Sequence, residues 1–395
     1  MAKILPFRAV RPTPDRVAQV ASVPYDVLDR DEAKRLAEGN PSSLLRVSRP
    51  EIEFHSETDP YSDEVYARAR ENWQRIRSEC LVREEKPSLY AYRLTMGKHR
   101  QTGLVAAYSI DEYDSGKIRK HERTRKQKED DRTRHVLTLS AQTGPVFLTY
   151  RDVPEIDREI ARALEGPKLY DFTAPDGVRH EAWLIADTAP LVMLFAERVG
   201  ALYIADGHHR AAAASRARVE SRSADTGFLA VAFPASQLRI LPYHRLVRDL
   251  GPHSASGFLK LLGARFTVEP GDASEPPKGS FGMYLHAKWH RLLPKEAAAS
   301  ELDVDLLQRL VLGPLLGISD PRTDARIDFM GGIRGTGELA SRVDGGLAAV
   351  AFSLHPTRIE EVIETSDRGD IMPPKSTWFE PKLRDGLFSH LTAEP

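Results

Sequence analysis

Residues 200–214 read Gly-Ala-Leu-Tyr-Ile-Ala-Asp-Gly-His-His-Arg-Ala-Ala-Ala-Ala, and no other stretch constrains the fold of this chain so tightly. An apolar run of strand length stops at Asp206-Gly207, and an alanine-rich helical run opens at once. The pattern predicts a buried strand over Leu202–Ala205 and a helix starting within a residue or two of His208. Gly207 admits positive φ and close approach of a ligand. The first turn of a helix leaves N–H groups without partners and presents the positive dipole end, which together make an anion site. His208, His209 and Arg210 add side-chain donors there, and a guanidinium fork matches phosphate oxygens. The plainer reading is a strand–turn–helix with Asp206 as an ordinary N-cap and two surface histidines. Zinc fits less well, because adjacent histidines on a helix point about 100° apart.

Around this unit, strand-like and helix-like runs alternate. Strands are expected at Leu89–Met96, Gly103–Ile110, Pro145–Tyr150, Ala182–Ala186, Phe228–Phe233 and Leu238–Val247. Helices are expected at Asp29–Glu38, Glu64–Arg83, Glu129–Leu139, Ile156–Leu164, Pro190–Val199 and His208–Val219. The spacing is too irregular for a βα barrel and suggests a mixed α/β sheet. Farther on, a Pro/Gly-rich loop at Glu269–Gly279 precedes a helix at Asp303–Leu316, a strand at Leu347–Leu354 and a helix at Arg358–Thr365. An extended stretch, Met372–Leu383, comes last. With 395 residues, at about 150 per domain, two to three domains are expected. We divide them as an N-terminal segment over 1–87 packing on the core, a core over 88–250 and a C-terminal α/β domain over 251–395.

A second signal is charge. Lys117–Arg134 holds nine Lys/Arg against four Asp/Glu in a chain whose formal net charge is −1. Such runs are usually solvated faces and occasionally nucleic-acid arms. Here Glu122 follows His121, and Glu129-Asp130-Asp131 are placed to begin a helix whose dipole suits them. A carboxylate amid so much positive charge stays ionised and can accept a proton from a hydroxyl. Lys126, Lys128, Arg132 and Arg134 are candidate phosphate ligands, with surface ion pairing as the competing fate.

The near-neutral balance argues against a wholly nucleic-acid-binding surface. The single Cys80 excludes an internal disulfide and a cysteine-rich zinc module. No run approaches the roughly 18–20 apolar residues of a membrane span. Pro6 and Arg8 interrupt the amino end too early for a secretory signal, so a cytoplasmic location is expected.

Three weaker candidates complete the survey. His180-Glu181 is read as lying just before a strand, Arg245 follows His244 in LPYHRLV, and Lys375-Ser376-Thr377 lacks the glycine-rich loop of a P-loop.

RKHERT, then a Lys/Asp/Arg helix, then PVFLTY and IADGHHR, resembles a large bacterial family whose domain is of unknown function. The likeness extends to FRAVRP, PYDVL, GNPSSLLRVSRPEI at Gly39–Ile52, DGVRHEAWLI at Asp176–Ile185, LPYHRLV and MPPKSTWFEPKL. It spans nearly the whole chain. More distantly, the strand–DGHHR–helix unit resembles the phosphate-binding element of the ParB/sulfiredoxin-like superfamily, and within it the free L-serine kinases. The resemblance makes the core over 88–250 a ParB/sulfiredoxin-like, nucleotide-binding catalytic core with N- and C-terminal additions. It also implies transfer of phosphate from ATP or ADP, with Mg2+, to a small hydroxyl acceptor, with free L-serine giving O-phosphoserine. Carried over position by position, Glu122 becomes the catalytic base, with His121 before it in the same pair. Asp206, Gly207, His208, His209 and Arg210 become the nucleotide-phosphate site. Apart from the resemblance, Lys128 and Arg132 are added as phosphate ligands on their charge, and the kinase reading makes Asp206 the magnesium ligand.

Two other classes are weighed against a kinase. A ParB-like nucleotide-dependent switch would touch DNA through Lys117–Arg134, but no helix-turn-helix is visible. A phosphatase or nuclease would want a carboxylate cluster for two metals. The expected partners are therefore a nucleotide and a small hydroxyl compound, without membrane or nucleic acid, and self-association is left open.

Overall fold

The computed structural model describes residues 2–296 and 301–393. It contains two compact units, one running to Leu238 and resuming at Pro381, the other Arg239–Glu380. The fold class expected from the sequence, a mixed α/β sheet protein, holds.

The first unit is built on a nine-stranded mixed sheet. Its order is Ile118–Arg119, Leu202–Asp206, Val146–Tyr150, Gly227–Pro234, His99–Ser109, Leu89–Met96, Arg179–Ile185 and Lys168–Thr173, with Ile4–Leu5 also on His99–Ser109. Ile118–Arg119 pairs parallel with Leu202–Tyr203, and Val146–Tyr150 parallel with Ala230–Pro234. Alternate residues of each strand share a face. Leu104, Ala106, Tyr108, Leu148, Phe228 and Ile204 therefore meet Ile156, Ile160, Leu191 and Phe195 of the helices Pro154–Ala163 and Ala189–Arg198 in one core. The amino-terminal segment belongs to the first unit. Trp73 and Ile76 of the helix Asp63–Cys80 pack with Val47, Leu139 and Ala141 in a second cluster.

The second unit is a six-stranded, wholly antiparallel sheet ordered Phe266–Pro270, Lys288–Pro294, Phe281–Leu285, Val350–Ser353, Tyr243–Val247 and Ile327–Gly331. Phe258, Leu262, Phe281, Met283 and Phe352 fill its core. Its first and last strands, Arg239–Leu241 and Trp378–Glu380, pair antiparallel. The chain thus leaves the unit beside where it came in, as an insertion does.

Several local expectations change. Leu238–Val247 is two strands, not one, because Pro242 has no N–H to give to a ladder and divides them between different sheets. The helix expected over Glu64–Arg83 stops at Cys80, and Leu81–Arg83 pairs with Val10–Pro12. The helix expected over Asp303–Leu316 is α-helical only to Leu307, continues as a π-helical turn over Gln308–Leu312 and stops before Gly313-Pro314. Proline cannot prolong the hydrogen-bond ladder there. Lys168–Thr173 was not expected as a strand. It is an edge strand whose Lys168 and Asp171 form an ion pair, so its polar sequence imitates a loop.

The last residues close the first unit. Asp385 and Ser22 exchange two backbone hydrogen bonds, as do Ser389 and Val10, and His390–Leu391 pair with Ala141–Gln142. Leu383, Leu387 and Phe388 are buried, with the Phe388 ring 4.7 Å from that of Tyr90 and 6.4 Å from that of Tyr92. Phe388→Ala should therefore cost about 3–5 kcal/mol, measured by chemical denaturation. A cost below about 1 kcal/mol, typical of surface changes, would show that this segment is no part of the core.

Candidate functional site

The two signal segments meet because of the sheet. Parallel pairing of Leu202 with Ile118 and of Tyr203 with Arg119 sends both chains off the same end of the sheet. The residues following Arg119 and those following Asp206 therefore emerge side by side. The strand Leu202–Asp206 is buried over its first four residues, and the helix begins at His208, as the sequence predicts. Gly207 sits between them at φ +90. A Cβ there would lie 2.9 Å from Arg210 Nε, so backbone conformation and space both select glycine. Ala211, Ala213, Ala214 and Ala217 bury the inner face of the 14-residue helix His208–Ser221.

His121 and Glu122 lie in the loop after Ile118–Arg119. Glu122 Oε2 is 4.0 Å from His208 Nδ1. The His121 and His208 rings meet edge to face with centroids 4.6 Å apart. Farther along the loop, the Arg125 N–H donates to His209 Nε2 at 3.0 Å. Glu122, His121, His208 and His209 are thus brought into one place. Burial pushes the His121 ring down to about 4, outweighing the opposing pull of Ile204 and Asp206. Burial pushes His208 well down too, aided by His121 and opposed by Asp206. Both are neutral at pH 7, so Glu122 stands beside an uncharged imidazole. His208 Nε2 is buried without a hydrogen-bond partner among the described residues.

Asp206 accepts from the Gly207 N–H at 2.8 Å through Oδ1 and from Lys382 Nζ at 2.9 Å through Oδ2. Burial alone would raise this carboxyl, but Lys382, Arg210 and His208 hold it below the ordinary carboxylate range. Asp206 is therefore an ionised, paired group rather than an N-cap; no side chain caps this helix. Arg210 donates to the Pro145 carbonyl. Behind it, Arg210, Asp385, Tyr25, Arg132 and Thr143 line a cavity of about 40 Å³. That is room for little more than a water molecule.

The basic run is organised differently from the expectation. Its helix starts at Lys126, not Glu129, so Glu129 still falls in the first turn while Asp130 and Asp131 lie beyond it. Lys117 pairs with Glu112 at 3.7 Å, and Lys120 lies 3.6 Å from the Tyr113 ring centre. Arg134 pairs with Asp63 and stacks 4.0 Å over Tyr66. Arg132 is buried, chelated by Asp131 at 2.9 and 3.0 Å and stacked 4.2 Å over Tyr25. Lys128 reaches Tyr61 Oη at 3.3 Å, and Lys126 is exposed. Acids and rings occupy most of the cations that the sequence offered to phosphates.

His180 and Glu181 lie inside the strand Arg179–Ile185, not before it. His180 is fully buried between Tyr92 Oη, at 2.7 Å from Nδ1, and Arg384, whose Nε donates to Nε2 at 3.1 Å. Glu181 pairs with Lys168 at 2.5 Å. In the second unit, Arg245 is buried, donates to the Tyr243 carbonyl at 2.8 Å and stacks 4.7 Å over Phe329. Ser376 Oγ donates to the Pro373 carbonyl at 2.7 Å, and Lys375 lies 5.4 Å from the Tyr243 ring centre. The residues that sequence reasoning missed are Lys382 and Asp385. Their only signal was their place in or beside the MPPKSTWFEPKL motif, which names no partner.

No curated protein matches the sequence. Solved structures similar to the chain include a conserved hypothetical protein from Pyrococcus furiosus, at 14% identity and TM-score 0.37, covering 72% of this chain and 94% of that one. A free serine kinase in complex with AMP is similar at 14% identity and TM-score 0.37, covering 71% and 90%. SbnI with a C-terminal truncation, from Staphylococcus aureus, is similar at 13% identity and TM-score 0.39, covering 72% and 87%. The family described as "Protein of unknown function (DUF1015)" matches over residues 4–310, a span that includes both the Glu122 loop and the Asp206-Gly207 turn, and the chain belongs to that family.

Proposed function

We propose that the first unit is a phosphotransferase that moves a phosphoryl group from ATP or ADP to the hydroxyl of a small molecule. The observation that carries this reading is the meeting of Glu122 with the Asp206-Gly207-His208 turn, Glu122 Oε2 lying 4.0 Å from His208 Nδ1. A candidate base thus stands at the amino end of a helix suited to phosphate. The unpartnered, buried His208 Nε2 is a second polar atom in want of a ligand.

In this reading the nucleotide phosphates rest on the main-chain N–H groups of the first helical turn. Gly207 allows the close approach, and the Arg210 guanidinium stabilises charge from beneath. Glu122 takes the proton of the acceptor hydroxyl while that oxygen bonds to the terminal phosphorus. The bond from phosphorus to the bridging oxygen breaks, and the shortened nucleotide leaves. The chemistry is positioning and charge neutralisation. Among the described residues no three His, Cys, Asp or Glu side chains gather as a dedicated metal site. Magnesium carried in on the nucleotide fits that donor set, since it commonly takes one or two carboxylates together with phosphate oxygens. Asp206 would be its ligand, and the ion would offset phosphate charge.

The motif resemblance makes free L-serine the first acceptor to test, with O-phosphoserine as product and serine metabolism as the setting. It also supports describing this unit as ParB/sulfiredoxin-like and the protein as a cytoplasmic enzyme. The pairing of Lys117, Arg132 and Arg134 with nearby acids favours a small-molecule enzyme over a DNA-contacting switch. That pairing leaves much less positive charge for a phosphate backbone.

The test is to incubate purified protein with magnesium and ATP or ADP across a panel of hydroxy amino acids and polyols, and to follow the phosphorylated acceptor by mass spectrometry. Acceptor-dependent nucleotide consumption is expected. Tight, sequence-specific binding of duplex DNA with no such turnover would overturn the reading. In the same assay, Glu122→Gln keeps the shape and removes the basicity, so turnover should fall about a hundredfold or more with nucleotide affinity nearly intact. Wild-type turnover in that variant would leave Glu122 a mere partner in a charged loop.

A further inference from the structure

We propose that Lys382, carried in by the C-terminal segment, is a phosphate-binding residue of the site at Asp206-Gly207; this rests on the nucleotide-binding reading above. Its Nζ lies 2.9 Å from Asp206 Oδ2, with the lysine side chain 13% and the aspartate side chain 26% exposed. Asp206 directly precedes the glycine from which the helix starts. The ammonium is therefore held one residue from the glycine at which a 14-residue helix starts.

A cation at the amino end of a helix opposes the dipole and is stable there only with an anion beside it. Asp206 supplies that anion in the present structure, and nucleotide phosphate would supply another at the same place. Partial burial makes the pair costly to maintain for stability alone.

The pair is not needed to hold the segment down. Arg384 donates to His180 Nε2 at 3.1 Å and pairs with Asp176. Asp385 and Ser22 exchange backbone bonds at 2.8 and 3.0 Å, and the Gly386 N–H donates to the Thr143 carbonyl at 2.7 Å. Ser389 and Val10 exchange two more at 2.8 and 2.9 Å. With the backbone pinned from two residues after it onward, the flexible four-carbon stem of Lys382 can turn its ammonium from Asp206 to a phosphate oxygen without moving that part of the chain.

The experiment measures direct binding of adenosine, AMP, ADP and ATP to the full chain by calorimetry, for wild type, Lys382→Met and Lys382→Arg. A charged hydrogen bond lost from phosphate should weaken ADP and ATP by about tenfold or more in K382M. Adenosine should bind as in wild type, and K382R should recover much of the loss. The dependence on phosphate number is the readout that a purely structural lysine would not move. Equal loss for adenosine and ATP, or phosphate-dependent binding fully retained in K382M, would overturn the Lys382 assignment and leave the nucleotide reading standing. Wild-type protein that binds none of the four ligands would overturn the nucleotide reading and this inference with it.

Discussion

When two strands pair in parallel, both chains leave the sheet at the same end, and Ile118–Arg119 against Leu202–Tyr203 is such a pair. Only two residues of each strand take part, yet the arrangement of the candidate site follows from them. An antiparallel pairing would send the Glu122 loop to the opposite end from Gly207. Given the parallel register, the His121 and His208 rings touch, Glu122 comes within 4.0 Å of His208, and the Arg125 N–H finds His209. Ligand sites at the carboxyl ends of strands are a general consequence of this geometry in α/β sheets.

The electrostatics of the site depend on keeping the imidazoles uncharged. Two protonated histidines at 4.6 Å between ring centres would repel one another and would also pair with Glu122, quenching its basicity. Burial prevents this by pushing both rings below their ordinary range. Asp206 is only partly buried and has Lys382 and Arg210 to hold it ionised. The site thus holds a half-exposed carboxylate beside neutral rings and a partly buried carboxylate beside cations. These are different environments for two acids with similar intrinsic properties, and they suit different tasks.

The second unit is inserted between Leu238 and Pro381, and the chain that returns from it completes the first unit. Leu383, Leu387 and Phe388 enter that core, while Lys382 and Asp385 reach the neighbourhood of Asp206 and Arg210. An N-terminal helix is recruited in the same way. The Tyr66 hydroxyl donates to Asp131 at 2.7 Å, and Asp131 chelates Arg132. Residues from both ends of the chain therefore organise the helix that follows the Glu122 loop.

The strand over Leu202–Ala205, the helix from His208 and the glycine between them were legible in the sequence. Hydrophobic run length, an alanine-rich helix and a residue tolerant of positive φ are all local properties. The mixed α/β class was legible for the same reason. The fates of Lys117, Arg132 and Arg134 were not, because a charge run states how many cations there are and not which acid or ring lies opposite each. That is settled by Glu112, Asp131 and Asp63, and two of these come from elements that the run itself does not contain. Lys382 was least legible of all. It is 176 residues from Asp206, and loop closure over that distance is specified by the pairing of Asp385 with Ser22 and Ser389 with Val10 rather than by anything near the lysine. Local sequence determined the turn; only the tertiary structure, through long-range backbone pairing, decided which charges surround it.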